Sequence, residues 1–205
     1  MIKGDTVTNS CEEFGWLTKH GPFHDISCVT FARSLSPREA LTRLGADSSG
    51  IEEVTFEEHQ ERTMEYIDSD NMRTSYVGAL EVNGWTVLIQ LWTGSIGLNE
   101  LLLRSLSQST EVVSIYRNLH ASDYFVYAVD GEQITCFDQL VPGTRWGSDP
   151  DRLAGKMREV GLSWEGPGGD APFPRSFALA KRITGLSFSE DMLSTRFLGA
   201  AVRDR

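Results

Sequence analysis

Residues 75–91 read Ser-Tyr-Val-Gly-Ala-Leu-Glu-Val-Asn-Gly-Trp-Thr-Val-Leu-Ile-Gln-Leu. Two runs rich in β-branched and aromatic residues flank Asn83-Gly84, a dipeptide that supplies the two positive φ angles of a type I′ turn. The stretch is predicted to be an antiparallel hairpin. Further on, strand-like runs span 111–119, 122–129 and 132–140, the last two joined by Asp130-Gly131, a turn signal of the same kind. Upstream, residues 25–33 alternate apolar and polar side chains in the manner of a half-buried strand. Strands clustered between helical segments, without a βαβ rhythm, imply an α+β fold. The expected architecture is a mostly antiparallel sheet of about five or six strands, with helices packed on it and a helical C-terminal end.

Helix punctuation is clearest at Ser36-Pro37-Arg38-Glu39, where Ser36 can cap, Pro37 occupies the first helical position and Glu39 can complete a capping box; Gly45 ends that helix. A second capping box, Thr55 to Glu58, opens a helix running to about Tyr66. Residues 97–106, rich in leucine, read as a short buried helix, and Ser148-Asp149-Pro150 is expected to open a helix that Gly161 ends. Two closing helices are expected, one from Pro174 to Thr184 stopped by Gly185, the other from Ser189 to about Val202.

The chain has 205 residues, long enough for one domain with its own core. Residues 1–24 are expected to be a poorly ordered lead-in, residues 25–205 a single α+β domain, and residues 163–173 a Gly/Pro-rich linker before the last two helices. Formal charge is −10. That sign argues against a nucleic-acid partner or an anionic membrane surface. The last 55 residues, 151–205, are mildly basic with 9 bases and 7 acids. Docking of this tail on the acidic body is the simplest reading of the asymmetry, and a basic tail meeting an acidic partner is the other. The N-terminal residues show no apolar secretory core, no run suits a membrane span, and three cysteines without a CxxC pair suit neither a disulfide framework nor a zinc ribbon. A cytoplasmic protein is expected, with Cys28 and Cys136 buried as small apolar residues.

Nucleotide-loop, zincin, kinase and nucleophile-elbow signatures are missing; Gly94-Ser95-Ile96-Gly97 lacks the residue that should separate glycine from serine. No catalytic residue, metal or cofactor is therefore assigned. His20, His24 and Asp25 are of ligand type, but Gly21-Pro22 between them disfavours a shared helix face. Asp68-Ser69-Asp70 resembles a DxD pair in a loop after an acidic helix, without the parallel strand that would support a metal role. The best polar set is Arg117, His120, Asp123 and Asp138, with Tyr116, Asn118 and Tyr124 beside them. It reads either as an anion or acid–base pocket or as a satisfied network at a sheet edge.

Trp85 and Trp92 are an odd number of residues apart, so in a regular strand they point to opposite faces and one is free to be exposed. Glu57, Glu58 and Glu61 give the helix after Thr55 a negative outer face, and His59 is expected at its surface. Acidic side chains beside an exposed tryptophan are the composition of a protein-binding surface. Arg145-Trp146-Gly147 is expected to pin the entry to the following helix.

The strings Phe31-Ala-Arg-Ser-Leu-Ser-Pro-Arg-Glu-Ala40, Leu44-Gly-Ala-Asp47, Asn83-Gly84-Trp85, Phe137-Asp138 and Arg145-Trp-Gly-Ser-Asp-Pro150 together resemble an uncharacterised family of small actinobacterial proteins, over about residues 25–195. The resemblance implies a source and an intracellular location, and no catalytic residue. The reading that follows is a non-enzymatic binding module, an adaptor or immunity-type protein whose acidic face meets a protein partner, a basic one suiting that charge. The alternative is a small-molecule-binding protein or enzyme with a polar pocket at the sheet around Arg117, His120 and Asp138.

Overall fold

The computed structural model describes residues 11–70, 73–120, 122–162 and 171–203. Its centre is β1 (Ile26–Arg33), flanked by β4 (Trp85–Leu91) and β5 (Glu111–Asn118). With β2 (Glu52–Val54), β3 (Thr74–Val82), β6 (Tyr124–Val129), β7 (Glu132–Asp138), β8 (Arg145–Trp146) and β9 (Phe197–Arg203) they form a nine-stranded sheet in the order β2-β9-β3-β4-β1-β5-β6-β7-β8. Every strand pair is antiparallel. The class is α+β, as the sequence implies, but the sheet is larger than five or six strands. Both expected hairpins form: φ is 49° and 79° at Asn83 and Gly84, and 49° and 80° at Asp130 and Gly131.

The extra strands come from segments whose local sequence is ambiguous. Residues 189–202, expected as a helix, instead give a 3-10 turn at Glu190–Ser194 and then β9. Pairing overrides propensity here: β9 inserts between β2 and β3, with Gly199 opposite Gly78. At Gly199 a Cβ would lie 2.5 Å from Tyr76 Oη, so the ring crosses the strand where only glycine leaves room.

Strand β1 is buried on both faces rather than one, because helices cover the sheet on both sides. On the first face α7 (Pro172–Thr184), α6 (Ala154–Glu159), α3 (Phe56–Asp70) and α1 (Gly21–Asp25) accompany the core that includes Val29, Phe31, Ile89, Ile115 and Phe125. On the second, α2 (Pro37–Arg43), α4 (Ser95–Leu98) and α5 (Glu100–Ser107) cover Cys28, Ala32, Leu88, Val112 and Val126. The polar half of the alternation, which suggests solvent, is a buried polar layer. Thr30 and Ser114 hydroxyls are 2.8 Å apart, Cys28 Sγ lies 3.3 Å from Ser114 Oγ, and Thr86 Oγ1 donates to the Leu35 carbonyl at 2.5 Å. Side chains that bond one another can be buried without leaving open hydrogen-bonding groups.

The expected lead-in is part of this core from Cys11 onward. Glu12–Thr18 is a 3-10 helix whose Phe14 and Leu17 are fully buried, and α1 buries Phe23. Phe14 packs near Phe177 of α7, and Trp16 and Phe23 near Phe188, so long-range aromatic contacts supply the order that local periodicity lacks. The basic tail docks on the acidic body: Lys181 Nζ reaches both Glu13 oxygens at 2.7 and 2.8 Å, and Ser187 Oγ donates to Glu13 at 2.7 Å. Within the expected 163–173 linker, residues 163–170 lie outside the described residues. The helix expected from Ser148 begins at Ala154, after turns in which Ser148 and Asp149 amides bond the carbonyls of Gln133 and Ile134.

Ser36 caps α2 by accepting from the Glu39 amide, while Glu39 itself pairs with Arg43 at 2.9 Å. At α3 the capping box is reciprocal, with the Thr55 amide donating to Glu58 and the Glu58 amide to Thr55 Oγ1.

Candidate functional site

Strand β4 ends at Leu91, and the next residue, Trp92, has φ 55°, with its amide donating to the Ile26 carbonyl at 2.8 Å. Left-handed backbone at a tryptophan is strained. It breaks the strand alternation, which is why the expected opposition of Trp85 and Trp92 does not occur: both pack against the first-face core, Trp85 buried and Trp92 half-buried. Among the described residues, the tryptophan with the most exposed side chain is Trp146, T-shaped against Tyr124.

After the reversal at Trp92 the chain passes Thr93 and Gly94 into α4. Gly94 lies directly against the Tyr116 ring, and a Cβ on Gly97 would sit 2.8 Å from Tyr116 Cβ and 3.2 Å from Cys28 Sγ. These two glycines let α4 settle on β5 and β1. The approach leaves a cleft of about 580 Å³ at this end of the sheet, lined by Ile26, Trp92, Leu98, Leu101 and Tyr116, with Thr93, Ser95, Asn99, Glu100 and Asn118 among its polar residues. Leu98 and Leu101 are 54% and 64% exposed, so its apolar rim is open to solvent. Gly94→Ala is expected to cost about 1–3 kcal/mol, because the new methyl meets a buried ring. Chemical denaturation measures it, and in a Tyr116→Ala background the penalty should shrink.

Most polar side chains in the cleft are already committed. Ser95 Oγ accepts from Gln90 Nε2 at 2.8 Å and lies 3.3 Å from Ser75 Oγ; Gln90 Oε1 accepts from the Ile96 amide at 3.0 Å. An amide donor and a hydroxyl are not a base that would activate Ser95 as a nucleophile. Asn118 donates to Tyr116 Oη and accepts from the His120 amide, both at 3.0 Å, and Asn99 Oδ1 caps α5 through the Leu101 and Leu102 amides. Thr93 differs: it is 8% exposed, and its Oγ1 is buried without a hydrogen-bond partner among the described residues. A buried hydroxyl left in that state costs free energy, which a group that reached it would recover.

The expected polar quartet divides. Arg117 and Asp123 meet: Nη1 donates to Asp123 Oδ2 at 3.1 Å, the Asn118 amide donates to Asp123 Oδ1 at 2.8 Å, and Arg117 Nε donates to the His24 carbonyl at 2.8 Å. The guanidinium also stacks 4.6 Å over Phe173. Burial raises the Asp123 pKa against the opposing pull of the Asn118 amide and Arg117. Asp138 accepts from the Leu140 amide at 2.8 Å as a turn residue, and His120 is largely exposed, 3.3 Å from Asp25 Oδ1. The four therefore do not bond as one group: Arg117 pairs with Asp123, while Asp138 and His120 are held elsewhere. The neighbouring cleft is lined by Asn118 and Tyr116 instead.

On α3, Glu57, Glu58 and Glu61 are all exposed, but Glu58 is engaged in the capping box, and Arg62 lies within ion-pair distance of Glu52 (3.4 Å) and Glu65 (3.0 Å). The face is less negative than its composition suggests. His59, expected at the surface, is fully buried, with Nε2 3.2 Å from the Ile89 carbonyl and the ring close to Phe56, Tyr76 and Phe197. Burial lowers its pKa to about 4. Asp68 and Asp70 fall within α3 rather than in a loop, and Asn71 lies outside the described residues. Among the described residues, no group of three or more His, Cys, Asp and Glu is placed to hold a metal, and no helix is long and apolar enough to cross a membrane. Cys11, Cys28 and Cys136 are buried and not joined in a disulfide; burial pushes the Cys28 thiol up and the Cys136 thiol to about 12, so both stay protonated at neutral pH.

The reversal at Trp92 and the orphaned hydroxyl at Thr93 have no signal in hydrophobic periodicity, although Gly94 and Gly97 do mark where α4 approaches the sheet. Residues 7–205 match a family of unknown function, DUF6461, and no curated protein and no solved structure gives a significant match.

Proposed function

This chain belongs to the DUF6461 family of unknown function, and we propose that it is a non-enzymatic binding protein whose ligand site is the cleft between the end of β4, β5 and the α4–α5 segment. The observation that carries the reading is Thr93, a buried and unpartnered hydroxyl in a cleft with an exposed leucine rim. Concave, largely apolar sites with a few placed polar groups are the usual form of small-ligand pockets, and 580 Å³ lies within their ordinary size range. Strain at Trp92 fits this, since strained backbone concentrates at binding sites.

The cleft takes precedence over the acidic face of α3, where capping and Arg62 leave Glu57 and Glu61 as the freer charges for a basic protein partner. It also takes precedence over a pocket built on Arg117, His120 and Asp138, whose side chains diverge. An actinobacterial source and a cytoplasmic location accompany the proposal; they rest on the resemblance and on an odd count of three cysteines without a CxxC pair, which suits a reducing compartment.

A thermal-shift screen of small molecules tests the reading, with Leu98→Asn/Leu101→Asn as the comparison protein. A ligand at about 100 times its Kd should add roughly 2.7 kcal/mol to wild-type stability and far less to the double variant. Ligands that shift both proteins equally would place binding elsewhere and overturn the assignment.

A further inference from the structure

From the charge and hydrogen-bond inventory of the cleft we infer that its ligand is an uncharged molecule with an aromatic or branched apolar body and one hydrogen-bonding group, the latter seated at Thr93. The inference rests on the cleft being the binding site. It adds the chemical class.

Among the described residues, those that line the cleft include no lysine, arginine or histidine, and their one charged member is Glu100. A carboxylate, sulfonate or phosphate would lose its hydration without gaining a cation, and would meet a carboxylate in a protein of net charge −10. Arg117 does not supply the missing charge. Strand alternation puts Tyr116 and Asn118 on the cleft side and Arg117 on the opposite side, where its guanidinium lies over Phe173 and is held by Asp123 and the His24 carbonyl. Arg104, on the next turn of α5, is 3.5 Å from Glu100 and lines a different hollow.

The body of the ligand follows from Ile26, Trp92, Leu98, Leu101 and Tyr116, which offer two aromatic and three aliphatic surfaces. Its single polar group follows from the commitments of the other side chains. Ser95 and Asn118 have hydrogen-bond partners, and Asn99 Oδ1 caps α5, which leaves the Thr93 hydroxyl as the buried group lacking one. A hydroxyl both donates and accepts, so an amine, alcohol or carbonyl would satisfy it.

A matched pair of fluorescent probes tests this on the full chain: N-phenyl-1-naphthylamine, uncharged with one N–H, and 8-anilino-1-naphthalenesulfonate, the same body carrying a sulfonate. The uncharged probe is expected to bind at least about 10-fold more tightly, since about 1.4 kcal/mol of differential desolvation suffices for that ratio. Thr93→Val, which keeps the side-chain shape, should weaken the uncharged probe several-fold, and Leu98→Asn/Leu101→Asn should remove most of its binding. If the sulfonate binds as tightly as the amine, and the double variant abolishes both, the ligand class is wrong while the cleft stands as the site. If the amine binds preferentially but Thr93→Val leaves its affinity unchanged, the Thr93 anchor is overturned. If neither probe binds, or the double variant changes nothing, the cleft assignment itself fails and this inference with it.

Discussion

Arg117→Met is expected to destabilise the fold by roughly 3–5 kcal/mol at neutral pH, the range for removing one member of a buried ion pair. Both side chains are little exposed, 11% for Arg117 and 7% for Asp123. Methionine retains most of the apolar stem over Phe173 but leaves the Asp123 carboxylate with the Asn118 amide alone. It also removes the bond to the His24 carbonyl, so α1 and α7 both lose an attachment to the end of β5. Denaturant unfolding measures the loss, equivalent to a fall of roughly 10 °C in Tm for a domain of this size. The pH dependence identifies the cause. Burial already raises the Asp123 pKa, and without Arg117 it rises further. Below that raised value the carboxyl is neutral and the penalty disappears, so the Arg117→Met deficit should shrink on acidification. A deficit independent of pH would assign the loss to packing instead.

Acidification is itself expected to cost the wild-type protein about 3 kcal/mol through His59. Burial holds the His59 pKa at about 4, against 6.5 for the free side chain. Between these values the unfolded chain binds a proton that the folded protein refuses, so stability falls as pH drops from 6.5 toward 4. Above 6.5 the imidazole is neutral in both states and contributes no pH dependence. At about 1.36 kcal/mol per pKa unit, the difference gives the stated magnitude. His59→Leu is the comparison: other carboxylates titrate in both proteins, while the variant's stability should lose about 3 kcal/mol less over this interval. Parallel curves would show that His59 is charged in the fold, and its ring, enclosed by Phe56, Tyr76 and Phe197, could not then be dry.

The departures from expectation at His59 and in the direction of Trp92 relative to Trp85 have related origins. A histidine between glutamates on a capped helix looks solvent-facing, and only the position of α3 over β3 and β4 puts that ring against the Ile89 carbonyl. A tryptophan one residue beyond a strand has its direction set by the backbone, which at φ 55° no longer follows the strand. Of the candidate residues, Arg117 and Asp123 were legible as members of one polar set, close in sequence around the β5–β6 turn, but that they pair with each other was decided by the fold. Thr93 was not legible, because what distinguishes it is a missing partner, and that is a property of the surroundings rather than of the residue.

The sequence alone determined the features whose causes are local. Asn83-Gly84 and Asp130-Gly131 turn because those residues tolerate positive φ, and Ser36 and Thr55 start helices because their side chains satisfy amides three residues on. The tertiary structure decided the number of strands, the burial of both sheet faces, the order of residues 11–25 and the place of the cleft. Each depends on contacts between distant segments: β9 between β2 and β3, Phe14 against Phe177, Tyr116 against Gly94. Strand pairing and desolvation reward residues for neighbours far along the chain, so a segment such as 197–203, acceptable as helix or strand by itself, takes the form that the rest of the sheet completes.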